Sequence, residues 1–174
     1  MSTTTPEQFQ ELLPLACEWA EQQEQQILTR GVTLTADQVA DARLIGVAHP
    51  DRIRLLAVDQ IPVPAHPVLR AAADATGLIS PLTGGLTLRH GIFIRSDCWD
   101  QRRLVVHELA HTAQYERLDG FRHFLERYLW ECLTIGYPAA PMEQEAIAVE
   151  RQVCNRAAGQ KFTGGHLSGG RCLV

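Results

Sequence analysis

The order of apolar and polar positions predicts a chain made mainly of helices. Near the N-terminus, apolar side chains recur with a helical period over residues 6–29. Pro6 suits the first turn of this helix, and Gly31 suits its end. The same period, together with capping and breaking residues, predicts further helices over residues 36–45, 67–76, 99–116, 120–134 and 141–158. Thr35 is the predicted N-cap of the second helix, and Asp97 or Ser96 that of the fourth.

Two segments between these helices have the alternation and the branched side chains of β-strands. The pattern over residues 52–59 predicts one strand, which Pro62 and Pro64 terminate. The run LTLRHGIFIR predicts either a tight hairpin broken at His90-Gly91 or one strand with a bulge. The pattern as a whole predicts an α+β fold, mostly helical, with a small β-sheet packed on the helix of residues 99–116.

Length and composition favour one globular domain over residues 1–174. The chain has 174 residues, of which 45% are hydrophobic, and a formal net charge of −4. Within it we predict an N-terminal helical segment over residues 6–46 and a core over about residues 50–158. The glycine-rich segment 159–174 is predicted to be a flexible tail.

The same composition argues against several classes of partner. The arginines are interspersed with acids and form no basic stripe, so no nucleic-acid partner is expected. No stretch approaches the ~20 apolar residues that cross a membrane, and no secretory signal is visible. The five cysteines form no CxxC pair, which favours reduced thiols over a disulfide framework or a cysteine zinc site. We therefore expect a cytoplasmic protein.

The predicted helix over residues 99–116 carries the sequence His107-Glu108-Leu109-Ala110-His111. Residues four apart lie on one helix face, so both imidazoles can reach a single ion at the ~2.0–2.1 Å of a Zn–N bond. Glu108 projects beside that face, where it can accept a proton from a metal-activated water. The spacing predicts a Zn²⁺ site with His107 and His111 as ligands and Glu108 as general base.

A catalytic zinc site needs a third protein ligand and leaves its fourth position to water. The segment PMEQEAIAVE opens a helix after Pro141 and offers Glu143 and Glu145. Residues two apart point roughly 200° away from each other around a helix, so the two carboxylates cannot face one ion. Both remain candidates on spacing alone.

Together these motifs resemble the gluzincins, zinc peptidases whose third ligand is a Glu on a later helix. In those families a small residue follows the Glu three positions on, and Ala146 stands in that relation to Glu143. The next position often carries an Asp or Asn that orients a histidine. Here it is Ile147, so support for the histidine must come from elsewhere. Residues 85–150 also look like small uncharacterised bacterial proteins with a zinc-protease-like core.

The resemblance implies a zinc metallopeptidase that acts on a peptide or protein substrate. It favours Glu143 as the third ligand, with Glu145 as the rival. It also implies that Gly91–Arg95 forms a sheet edge that binds extended peptide, although an ordinary core strand fits equally well. Tyr137 is a candidate hydrogen-bond donor to the developing oxyanion. Gln114 is expected to be solvated, and three histidines are placed outside the site: His90, His123 and His166.

Two other readings of these residues stay open. The chain could bind zinc for structure or regulation without hydrolysis, in which case a fourth protein ligand would close the site. It could also carry the motif by chance in a helical interaction protein, and metal content would separate that class from the other two.

Overall fold

Six helices and a four-stranded sheet make up the computed structural model, which describes residues 5–159. The helices span Pro6–Arg30 (α1), Ala36–Ile45 (α2), Pro67–Thr76 (α3), Arg102–Arg117 (α4), Phe121–Thr134 (α5) and Pro141–Gly159 (α6). The strands span Val32–Thr33 (β1), Arg54–Val58 (β2), Gly85–Leu88 (β3) and Gly91–Arg95 (β4). The predicted α+β fold, mostly helical with a small sheet, is confirmed.

The sheet has the strand order β1-β2-β4-β3. β2 and β4 run parallel, whereas β1 with β2 and β3 with β4 are antiparallel. The LTLRHGIFIR segment is therefore a tight hairpin. β4 lies inside the sheet, so the prediction that Gly91–Arg95 forms its edge is wrong. The edge strands are β1 and β3, because β4 pairs with β2 as well as with β3, and local alternation does not reveal this long-range pairing.

Helix α4 begins later than its sequence pattern predicts. Ser96–Cys98 form a 3-10 turn, and α4 starts at Arg102 with Gln101 at the N-cap position and no side-chain capping bond. The prediction that Asp97 or Ser96 caps this helix is wrong. The Asp97 carboxylate instead accepts hydrogen bonds from Arg95, at 2.6 and 3.1 Å.

Helix α2 has its predicted N-cap, since the Thr35 side chain and Gln38 form a capping box. It ends at Ile45, as predicted, and is capped by Gly46, whose φ of 96° is left-handed. Its buried face consists of Asp41 and Ala42. The Asp41 carboxylate is buried because Arg102 of α4 binds both of its oxygens, at 2.7 and 2.9 Å.

Helix α4 lies between two apolar clusters. On one side its Leu104, Val105 and Leu109 pack with side chains of α2, β2 and β4. On the other side its Tyr115 packs with α1, α3 and α5. Burial on both sides places the polar residues of α4 in the interior, where each needs a partner.

Two other features bear on the sequence predictions. No helix within residues 5–159 is long and apolar enough to cross a membrane. Cys98 is disulfide-bonded, whereas Cys17, Cys132 and Cys154 are free. The expectation of reduced thiols is thus wrong at Cys98, because pairing depends on distances in space that cysteine spacing does not give. Residues 160–174 of the predicted flexible tail, which include His166, lie outside the described residues.

Candidate metal centre

The two histidines of the α4 motif meet in the interior. Their Nε2 atoms lie 3.1 Å apart, and the rings are nearly perpendicular, with an interplanar angle of 78°. His107 is 2% exposed and His111 6%. The spacing of four residues has therefore brought two imidazole nitrogens to one point, as the sequence predicts.

Helix α6 brings Glu143 to the same point. Its Oε1 lies 3.1 Å from Nε2 of His107, and its Oε2 lies 3.2 Å from Nε2 of His111. Tetrahedral ligands at zinc bond lengths would lie ~3.4 Å from one another. These atoms therefore have nearly the spacing that one small cation requires. Ala146, fully buried one turn further on, lets α6 approach closely.

Glu145 does not join this group, although its carboxylate accepts a hydrogen bond from Nε2 of Gln114 at 3.0 Å. Its carboxylate accepts hydrogen bonds from both terminal nitrogens of Arg117, at 2.8 and 2.9 Å, and its side chain is 42% exposed. The His-His-Glu group consists of His107, His111 and Glu143, without Glu145. The structure thus separates the two carboxylates as the helical angle between them requires.

Electrostatics couple the three residues strongly. Burial opposes ionisation of Glu143, yet bonds to the two imidazoles hold its pKa well below the usual range. Burial alone would lower the pKa of His107, but the Glu143 and Glu150 carboxylates outweigh it and raise the pKa to about 10. The buried carboxylates thus stabilise positive charge at this point of the interior.

Gln114 orients the second histidine. Its Oε1 lies 2.8 Å from Nδ1 of His111, and its Nε2 donates to the Met142 carbonyl at 2.8 Å. With the amide so oriented, Nδ1–H donates to Oε1 and leaves Nε2 of His111 free for a metal. Gln114 is 2% exposed, so the expectation that it is solvated is wrong. Its position three residues after His111 places it on the same helix face, and this spacing is the feature of the sequence that indicates the contact.

Tyr128 of α5 is a site residue that sequence reasoning missed. Its hydroxyl donates to Oε2 of Glu143 at 2.9 Å, and the side chain is buried beside His111. Burial and the nearby carboxylate raise its pKa well above the usual value, so the hydroxyl stays a donor. No local pattern marks it, because only the packing of α5 against α6 brings it to Glu143.

Glu108 faces the edge strand β3. The Thr87 hydroxyl lies 2.6 Å from Oε2 of Glu108 and 2.9 Å from its carbonyl oxygen. A Cβ at Gly85 would lie 2.5 Å from Oε1, so this strand position needs glycine. Burial raises the pKa of Glu108, and the two imidazoles and Thr87 oppose that effect. The carboxyl is therefore a stronger proton acceptor than an exposed one.

Tyr137 lines the same cavity as His107, Glu108 and Glu143. Burial, Glu143 and Glu108 raise its pKa, so the phenol keeps its proton at neutral pH. Its role as an oxyanion donor stays a prediction.

The other histidines lie elsewhere in the described part of the chain. His90 binds Glu116, with Nε2 3.1 Å from Oε1. His123 is exposed on α5.

An apolar cavity of about 110 Å³ opens beside His107, Glu108 and His111. Its wall is formed mainly by aliphatic and aromatic side chains of α1, α3, α5 and β3. Representative members are Leu12, Ala16, Leu69, Ala72, Leu86 and Leu129.

Comparisons with protein-family models, curated proteins and solved structures found no match for this chain.

Proposed function

We propose that this chain is a zinc-dependent metallopeptidase of the gluzincin type. His107, His111 and Glu143 would hold Zn²⁺, and Glu108 would act as general base. The observation that carries the proposal is the meeting of two imidazole nitrogens, 3.1 Å apart, with a carboxylate whose two oxygens each lie 3.1–3.2 Å from one of them. Beside this group lies a second buried carboxyl, that of Glu108.

The donor set supports a catalytic ion over a structural one. Two imidazoles and a carboxylate are the protein ligands of several zinc peptidases, whereas structural sites are closed by four protein ligands. Within residues 5–159, the candidate ligand group has three members and no fourth. A structural ion would also have no use for Glu108. The rival is a non-catalytic zinc-binding structural or regulatory protein.

In this proposal the residues around the ion carry a proton from the attacking water to the leaving amine. Zinc held by His107, His111 and Glu143 would lower the pKa of a water and polarise the scissile carbonyl. Glu108 accepts the proton of the attacking water and passes it to the leaving amine. Thr87 fixes the Glu108 carboxylate against β3 during this transfer. Tyr137 donates a hydrogen bond to the oxygen on which negative charge develops.

The edge strand β3 supplies a binding surface for extended peptide. The Gly84 carbonyl accepts from Arg95, so the alternation of an antiparallel pair turns the backbone groups of Gly85 and Thr87 away from β4. These two residues also contact Glu108. A substrate strand added at this edge would pass beside the general base.

The apolar cavity indicates which peptides fit. A cavity of about 110 Å³ with aliphatic and aromatic walls suits one large apolar side chain next to the scissile bond. We therefore propose that the substrate carries such a residue.

We expect Ala72→Leu, which fills part of this cavity, to reduce kcat/KM for peptides with a large apolar residue at that position. A mismatch of one methylene in an apolar pocket changes kcat/KM by ~10–200-fold. Peptides with alanine there should lose little. An equal loss on both peptides, at unchanged melting temperature, would contradict the assignment of this cavity.

Zinc content tests the proposal directly. We expect about one zinc per chain in purified protein, and little in His111→Ala, because the site then keeps two of its three ligands. His123→Ala is the matched control, since that histidine is exposed and is not a member of the group. Full zinc retention in His111→Ala would contradict the site. Zinc loss without any peptide hydrolysis by the wild type would favour the non-catalytic rival.

A further inference from the structure

The two histidines of the group differ in how their second ring nitrogen is held. Nδ1 of His111 has Gln114 as partner at 2.8 Å, whereas the buried Nδ1 of His107 has no hydrogen-bond partner. A ring that gives Nε2 to a metal carries its proton on Nδ1. That buried N–H needs an acceptor, because leaving it unpaired costs free energy.

Glu150 is the carboxylate placed to accept it. Its Oε2 lies 3.7 Å from Nδ1 of His107, just beyond hydrogen-bond distance, and its side chain is 6% exposed. Glu150 is seven residues after Glu143 on α6, which is two turns along the same helix face. Glu150 thus supplies, one turn further along the helix, the carboxylate that the gluzincin pattern would have at Ile147.

Arg103 fixes this carboxylate from the solvent side. Its Nε and a terminal nitrogen lie 2.7 and 2.6 Å from Oε1 of Glu150, which leaves Oε2 directed to the histidine. The Arg103 side chain is 64% exposed, so it reaches the buried carboxylate from the surface. His107, Glu150 and Arg103 thus form a chain from the metal position to solvent.

We propose that Glu150, held by Arg103, is the positioning residue that accepts the Nδ1–H of His107 and turns this imidazole toward the metal. The inference rests on the proposed zinc site. A small rotation of either side chain closes the 3.7 Å separation to a hydrogen bond. Outer-shell partners of this kind raise metal affinity by ~10–100-fold.

The chain offers a matched control. Asp41 is also a nearly buried carboxylate, with a side chain 7% exposed, and it is also bound by an arginine of α4, Arg102. Both oxygens of the Asp41 carboxylate are bound by Arg102 and not by either histidine of the group. Asp41→Asn therefore removes the same kind of buried ion pair without touching the site.

The experiment compares Glu150→Gln with Asp41→Asn in the full chain. Zinc affinity is measured by competition with a chelator, and metal-free stability by thermal unfolding. We expect zinc binding ~10–100-fold weaker in Glu150→Gln and nearly unchanged in Asp41→Asn. In zinc-loaded wild type, NMR should show a slowly exchanging proton on Nδ1 of His107, and that proton should exchange faster in Glu150→Gln.

Arg103→Met provides a second test if Glu150→Gln folds poorly. Arg103 is largely exposed, so this substitution should disturb folding less. We expect a few-fold loss of zinc affinity from it. Equal zinc affinity in wild type, Glu150→Gln and Arg103→Met would overturn the role of Glu150 while leaving the zinc site intact. A wild-type protein that binds no zinc would instead overturn the proposed function.

Discussion

Glu108→Gln is expected to keep its zinc and lose peptide hydrolysis. The amide matches the carboxylate in shape and can still accept the hydrogen bond from Thr87, but it cannot take a proton from water. General bases contribute ~10²–10⁴-fold to the rate, so kcat/KM should fall by at least ~10²-fold. The measurement is turnover of an apolar-containing peptide, alongside zinc content per chain.

Glu126→Gln provides the control, since it makes the same chemical change at an exposed position of α5. It should leave both turnover and zinc unchanged. Equal turnover in wild type and Glu108→Gln would remove Glu108 from the mechanism. Loss of zinc in Glu108→Gln would mean that the carboxylate is a ligand and not the base.

Glu143→Ala should weaken zinc binding by orders of magnitude, whereas Glu145→Ala should leave it nearly unchanged. Glu143 offers both carboxylate oxygens to the two histidines, and its removal also leaves the buried Tyr128 hydroxyl without its acceptor. Glu145 loses only a half-exposed ion pair with Arg117 and one bond from Gln114. Exposed pairs of this kind are worth ~0–1 kcal/mol.

The two variants share one helix and one type of substitution, so they control for each other. Chelator competition gives the zinc affinities, and thermal unfolding of the metal-free proteins separates ligand loss from misfolding. The reverse order of affinities would make Glu145 the ligand and would show that α6 adopts a different rotation about its axis in the zinc-bound protein.

The pattern along the chain was sufficient for features that depend on near neighbours. Helices α1, α2, α3, α5 and α6 begin and end within about a residue of their predicted bounds, because capping residues, prolines and glycines act within one turn. The meeting of His107 and His111 belongs to this class, since a spacing of four residues on a helix fixes it before any tertiary contact forms.

Features that depend on how distant segments pack needed the tertiary structure. The parallel pairing of β2 with β4 decided that β3, not Gly91–Arg95, is an edge. A 3-10 turn at Ser96–Cys98 delayed the start of α4. Neither is visible in local alternation, since the pairing joins distant segments and the Ser96 hydroxyl of the turn donates to the distant Val58 carbonyl at 3.0 Å.

The candidate site divides in the same way. The sequence by itself determined the two histidines and their neighbouring Glu108, because all three belong to one helix. Only the crossing of α4, α5 and α6 decided that Glu143 and not Glu145 meets them, and that Gln114, Tyr128 and Glu150 surround them. The physical reason is that a helix fixes the relative directions of its own side chains, whereas the rotation of one helix against another is set by the packing of the whole core.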